Sequence, residues 1–152
     1  DVDIGIGFYQ VQTDTSGDGE LNPGESMTID IYGSNNGATT ALGVWAQVAP
    51  PGPNVTITGC YAKNDANTVT CALTQAGGCS CEAIPSNMKV DLAGNSVSDD
   101  YLLRMSFELA PEASIGLPVS FQLDFTDTFG NVDSDALSMD VVVLETEEDP
   151  EP

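Results

Sequence analysis

An all-β, two-sheet immunoglobulin-like sandwich of about eight or nine antiparallel strands is the fold this sequence predicts, and three observations predict it. Apolar and polar residues alternate at period two along most of the chain. Turns rich in glycine, proline and asparagine separate the alternating runs. No apolar stripe at i, i+3, i+4 persists for three helical turns. A jelly roll or a flattened barrel would share this pattern.

The elements follow in order. Val2, Ile4, Ile6 and Phe8 are expected on one face of a first strand. Met27, Ile29 and Ile31 alternate with Thr28, Asp30 and Tyr32, and Val44, Ala46 and Val48 with Trp45 and Gln47. Shorter candidates cover residues 55–57, 69–73 and 88–92. Leu103, Met105, Phe107 and Leu109 face away from Arg104, Ser106 and Glu108. Val119, Phe121, Leu123 and Phe125 form the next apolar face, and Leu137, Met139, Val141 and Val143 the last. Asn35-Asn36-Gly37, Pro50-Pro51-Gly52-Pro53, Gly77-Gly78, Gly94-Asn95 and Gly130-Asn131 mark the turns. There is no internal repeat and no second core. The expected organisation is one sandwich domain, residues 1–144, and an acidic Pro/Glu-rich tail or linker, residues 145–152.

Composition narrows the function. Val, Ile, Leu and Phe make up 36 of 152 residues, enough for a core despite the charge. Three Lys and Arg stand against 24 Asp and Glu, for a net charge of −21, and there is no His. No basic patch exists to hold nucleic acid, and no polybasic segment to hold an anionic membrane. No apolar run reaches the roughly 18 residues of a membrane-spanning helix, so direct membrane insertion is not expected. Triads and metal sites that need His are excluded. With few basic side chains to pair the acids, bound cations are the natural counter-charge.

The strongest motif fills residues 14–25, between the first two predicted strands. Asp14, Ser16, Asp18, Asn22 and Glu25 stand at its first, third, fifth, ninth and twelfth places. Gly19 is sixth, where the chain must bend, and Leu21 is eighth. This is the ligand grammar of an EF-hand-type calcium loop. Ca2+ needs six to eight oxygens, so the backbone carbonyl of Glu20 is an expected ligand, Glu25 can give two, and Asn22 can act through a water. Pro23-Gly24 would interrupt an exiting helix, so the loop is expected to join two strands. A second acidic loop, residues 124–135, offers Asp127, Asp133 and Asp135 as a lesser ion candidate; the competing reading is a hairpin with Gly130-Asn131 at its tip. For residues 14–25 the competing reading is an acidic turn without an ion.

The run GDGELNPGESMTIDIYGSNNG, residues 17–37, resembles the opening of bacterial extracellular immunoglobulin-like modules. These include cell-adhesion-related bacterial domains and accessory domains of secreted peptidases. LDFTDTFGNVDSDALSMDV, residues 123–141, is similar to their closing hairpin. The resemblance implies a non-catalytic role in adhesion, spacing or display.

Cys60, Cys71, Cys79 and Cys81 are the four cysteines, an even count in an acidic chain of extracellular character. Two disulfides are expected. A Cys79–Cys81 bridge would enclose one residue and be strained. Cys60 and Cys71 should therefore each take one member of the Cys79/Cys81 pair, in an order the sequence leaves open. A four-cysteine zinc site lacks its usual paired knuckles.

Catalytic readings are weak. Ser and Thr lack a His base, and no G-x-S-x-G motif is present. Gly5-Ile6-Gly7 sits in strand alternation and reads as strand glycines. Asn54-Val55-Thr56 is a glycosylation sequon, discounted because the resemblance is bacterial. The expected protein is a calcium-binding, disulfide-bonded module of a secreted or cell-surface protein, an adhesion or spacer unit or a filament subunit. Its expected partners are neighbouring domains, other copies of itself, or a glycan or surface protein. The alternative is a carbohydrate-binding module using Trp45 as its stacking platform.

Overall fold

The computed structural model describes residues 1–64 and 67–143. The tail predicted at 145–152 lies outside the described residues. Among the described residues, twelve strands form two antiparallel sheets. They are β1 (Ile4–Asp14), β2 (Ser26–Asn35), β3 (Ala41–Val48), β4 (Val55–Asn64), β5 (Asn67–Thr70) and β6 (Ala72–Leu73). Then come β7 (Cys79–Ser80), β8 (Val90–Leu92), β9 (Ser96–Val97), β10 (Leu103–Leu109), β11 (Val119–Thr126) and β12 (Val132–Met139). The first sheet runs β1-β2-β10-β4-β5, with β9 also on β2; the second runs β12-β11-β3-β7-β6, with β8 also on β3.

The sandwich class agrees with the sequence, while the strand count exceeds the eight or nine expected. The surplus comes from two- to four-residue pieces. The single run expected at 69–73 breaks at Cys71: β5 stays on the first sheet and β6 crosses to the second. The run expected at 88–92 is a short 3-10 turn, Ser86–Met88, followed by β8.

Alternation places the core where period two put it. Met27, Ile29 and Ile31 of β2 and Leu103, Met105, Phe107 and Leu109 of β10 are buried from one sheet. Val44, Ala46 and Val48 of β3 and Phe121, Leu123 and Phe125 of β11 meet them from the other. Phe107 and Phe121 touch edge to face across the interface, centroids 4.9 Å apart, an arrangement worth about 0.5–1.5 kcal/mol beyond area burial.

The first strand departs from its expected face. The β1–β2 register shifts between Ile6 and Phe8. That one-residue bulge at Gly7 turns Phe8 out of the Ile4/Ile6 face. Phe8 instead lies outside, stacked on Tyr32 with centroids 4.4 Å apart.

The open cysteine pairing resolves as Cys60–Cys79 and Cys71–Cys81, with no free thiol. Cys60–Cys79 ties β4 of one sheet to β7 of the other. In a chain-entropy picture, loops of 19 and 10 residues contribute about 3 kcal/mol each. Among the described residues no helix is long and apolar enough to cross a membrane.

Candidate metal centre in the loop between the first two strands

Asp14 ends β1 and Ser26 begins β2, so residues 15–25 are the whole connection. Two features make it a cradle. Gly19 takes φ +77°, a left-handed conformation that residues with a Cβ seldom adopt, and turns the chain back on itself. Leu21 is buried, forms a bridge with Val141 and accepts a hydrogen bond from Val142 N–H at 3.0 Å. The apolar eighth place therefore pins the loop to the core beside the chain's closing segment.

The side chains converge between these anchors. One carboxylate oxygen each from Asp14, Asp18 and Glu25 lie within 4.8 Å of one another. Ser16 Oγ is central: it lies 2.7 Å from Glu25 Oε2, 2.8 Å from Asp18 Oδ1, 3.1 Å from Asn22 Oδ1 and 3.2 Å from Asp14 Oδ2. A hydroxyl has one proton to donate, so most of these close oxygen pairs lack a hydrogen between them.

Backbone donors orient the carboxylates. Gly19 N–H donates to Asp14 Oδ2, and Ser16 and Asn22 N–H donate to the two oxygens of buried Glu25. Asn22 is buried too, and its Nδ2 donates to the Val142 carbonyl, which turns Oδ1 toward Ser16. The Glu20 N–H donates to Asp18 Oδ1, and the Glu20 side chain stays in solvent. That bond first, then the Ser16 hydroxyl, holds the Asp18 carboxyl below its ordinary pKa. The donor set consists of hard oxygens only, the chemistry that suits calcium or magnesium rather than a soft metal.

The other candidates lie elsewhere. Asp127 is buried in the β11–β12 turn, where its carboxylate accepts from Phe129 N–H, Asn131 N–H and Asn131 Nδ2. Asp133 Oδ2 accepts from Ile4 N–H and Asp135 Oδ2 from Ile6 N–H. These two acids, spaced i, i+2 on β12, stitch its edge to the start of β1. Gly5 leaves room for this contact, since a Cβ there would sit 2.9 Å from Asp135 Oδ2 and displace the carboxylate. The three residues do not gather at one point. Among the described residues, the group of three acids close enough to share an ion is Asp14, Asp18 and Glu25.

Trp45 is half-buried and packs against the margin of the core, with Lys89 Nζ 5.7 Å from its ring centroid. Lys63 and Arg104 lie over Tyr101 in the same manner. All three basic side chains of the protein thus sit on aromatic faces. Arg104 also forms a two-bond pair with buried Asp30, 2.6 and 2.9 Å, which pushes the guanidinium pKa further up.

No known family model and no curated protein sequence matches the chain. Solved structures of similar shape exist at very low identity. AvmM, which catalyses macrocyclization in alchivemycin A biosynthesis, superposes with TM-score 0.51 at 9% identity, covering 96% of this chain and 91% of that one. The sporulation control protein Spo0M of Bacillus subtilis gives 0.39 at 11%, covering 94% of this chain and 50% of that one. The archaellum stator protein FlaG of Sulfolobus acidocaldarius gives 0.30 at 15%, covering 86% and 98%. At these identities the first likeness speaks for the sandwich fold alone, and the other two carry no argument.

Proposed function

We propose that this chain is a non-catalytic module of a secreted or cell-surface protein, stabilised by calcium and stapled by its disulfides. It serves as an adhesion or spacer unit, or as a subunit of a surface assembly. The observation that carries the reading is the convergence on Ser16: four side-chain oxygens within 3.2 Å of one hydroxyl. Carboxylates brought this close repel one another, and a divalent cation among them removes that cost. Asp14, Ser16, Asp18, Asn22 and Glu25, with the Glu20 carbonyl, would hold the ion. Two disulfides favour an oxidising compartment, and the resemblance of residues 17–37 to bacterial surface modules points the same way. The carbohydrate-binding alternative draws no new support from Trp45, whose ring lies under Lys89.

Isothermal titration with calcium tests the reading. Wild-type protein should bind one ion in the loop, and Glu25→Gln should bind far more weakly while keeping its fold. No heat of binding at millimolar calcium, with no displacement of loop resonances, would sink it.

A further inference from the structure

A strand at the end of a sheet offers backbone donors and acceptors to any second strand, and proteins usually blunt such edges by shortening or charging them. Among the described residues, three of the four edges are short or charged, and the fourth is interrupted by bulges alone. β5 has four residues and β6 has two, while β12 carries Asp133 and Asp135 along its rim. The fourth edge is β1, which ends the first sheet and has β2 as its ladder partner. Its start is covered, because Asp133 and Asp135 take the Ile4 and Ile6 N–H groups. The stretch that follows, residues 7–13 (GFYQVQT), contains no charged residue in a protein of net charge −21. The acid opposite it on β2, Asp30 across from Gln10, is already paired with Arg104. Phe8 and Tyr9 are 43% and 37% exposed on this strand, and Val97 is 45% exposed nearby.

We infer that the uncharged stretch 7–13 of β1, through its regular part 8–11, is a self-pairing edge: a second copy of this chain adds its own β1 antiparallel, across a two-fold axis. The inference supplies a self-association contact for the proposed module and rests on that part of the proposed function; it does not depend on the ion. Charge selects the occupant. A basic partner is drawn to the whole acidic surface and has no reason to prefer a neutral strip. A second acidic copy can approach closely only where carboxylates are missing. Screening then decides the balance. The Debye length falls from about 30 Å at 0.01 M salt to about 3 Å at 1 M, so repulsion between two copies fades with salt while the neutral strand contact persists. Two-fold pairing is also self-complementary and closed, so it gives dimers rather than open chains. The bulges between Ile6 and Phe8 and between Val11 and Thr13 bound the regular part of the edge, so the contact is short and the dimer dissociates readily.

Sedimentation velocity at high protein concentration tests this, in 0.01 M and in 0.5 M sodium chloride, each with calcium and with EGTA. Monomer at low salt and dimer at high salt, with either additive, is expected. Amide exchange should then slow at residues 7–13 on dimerisation. Gln10→Glu places like charges across the axis and should weaken the dimer about tenfold or more, with an unchanged melting temperature to show that it folds. A strict monomer under all four conditions overturns the inference. So does a dimer that Gln10→Glu leaves intact, with no protection at 7–13. Failure of calcium to bind would sink the ion reading and leave the salt-dependent result fully readable.

Discussion

Loop 14–25 and hairpin 124–135 contain nearly the same chemistry. The first has Asp14, Asp18, Glu20 and Glu25 with Asn22, bent at Gly19; the second has Asp124, Asp127, Asp133 and Asp135 with Asn131, bent at Gly130. In the hairpin the ladder continues to Thr126↔Val132, so side chains are dealt to alternate faces and no three acids meet. Each carboxylate finds its own donor: Asp127 the turn backbone, Asp133 and Asp135 the β1 backbone, Asp124 the Ser134 hydroxyl. In the first loop there is no ladder. Leu21 holds one side and the strand ends hold the other, so the oxygens turn inward and share one hydroxyl. Acid count alone therefore does not make a cation site; backbone geometry decides whether carboxylates converge or disperse.

The largest expected effect sharpens that contrast. A ligand that binds the folded loop alone adds RT ln(1 + [L]/Kd), about 2.7 kcal/mol at a hundredfold excess over Kd. For a domain of this size that raises the melting temperature by roughly 5–10 °C. Glu25→Gln should remove most of the rise, whereas Asp133→Asn should leave it intact. Thermal melts in calcium and in EGTA read both. An equal loss of the calcium shift in the two variants would break the distinction.

Asp127→Ala is the mirror experiment. It strips the acceptor from two backbone N–H groups and the Asn131 amide in a turn whose other residues are exposed, and should cost about 1 kcal/mol. The loss should be the same with calcium or EGTA, as measured by urea denaturation. A loss confined to the calcium condition would mean that the hairpin, too, holds an ion.

Asp133→Ala and Asp135→Ala should cost about 1 kcal/mol each. Their specific signature is faster exchange of the Ile4 and Ile6 amides, with the loop 14–25 amides unchanged. Exchange that stays slow at Ile4 and Ile6 would mean that β1 is held by its ladder to β2 alone.

The smallest effect concerns acid. The Asp18 carboxyl is held below its ordinary pKa, chiefly by the Glu20 N–H. A depressed folded-state pKa contributes stability above the unfolded value, and that contribution is lost as pH falls through the folded value. Asp18→Asn should therefore narrow the melting difference between pH 7 and pH 3 slightly, with little change between pH 7 and pH 5. A difference that opens already between pH 7 and pH 5 would contradict the downward shift.

Much of this was readable in the residues. Period-two alternation located the strands that form the core, because a half-buried sheet imposes that period directly on sequence. The convergence of Asp14, Ser16, Asp18, Asn22 and Glu25 was readable for a similar reason: it depends on short-range spacing around Gly19. Exclusion of a Cys79–Cys81 bridge was also local, a matter of how far one residue can reach. What needed tertiary structure was every choice between equivalent partners at long range. The sequence left Cys60 free to take Cys79 or Cys81, and the crossing of the chain from β5 to β6 brings Cys71 to Cys81 and leaves Cys79 for Cys60. Alternation placed Phe8 with Ile6, and a bulge at Gly7, which a strand glycine permits without dictating, turned it outward. Asp133 and Asp135 looked like the acids of loop 14–25 until β1 came to lie beside them, 129 residues away in sequence. Local spacing fixes what a segment can do, and the packing of distant strands decides which donors reach its carboxylates.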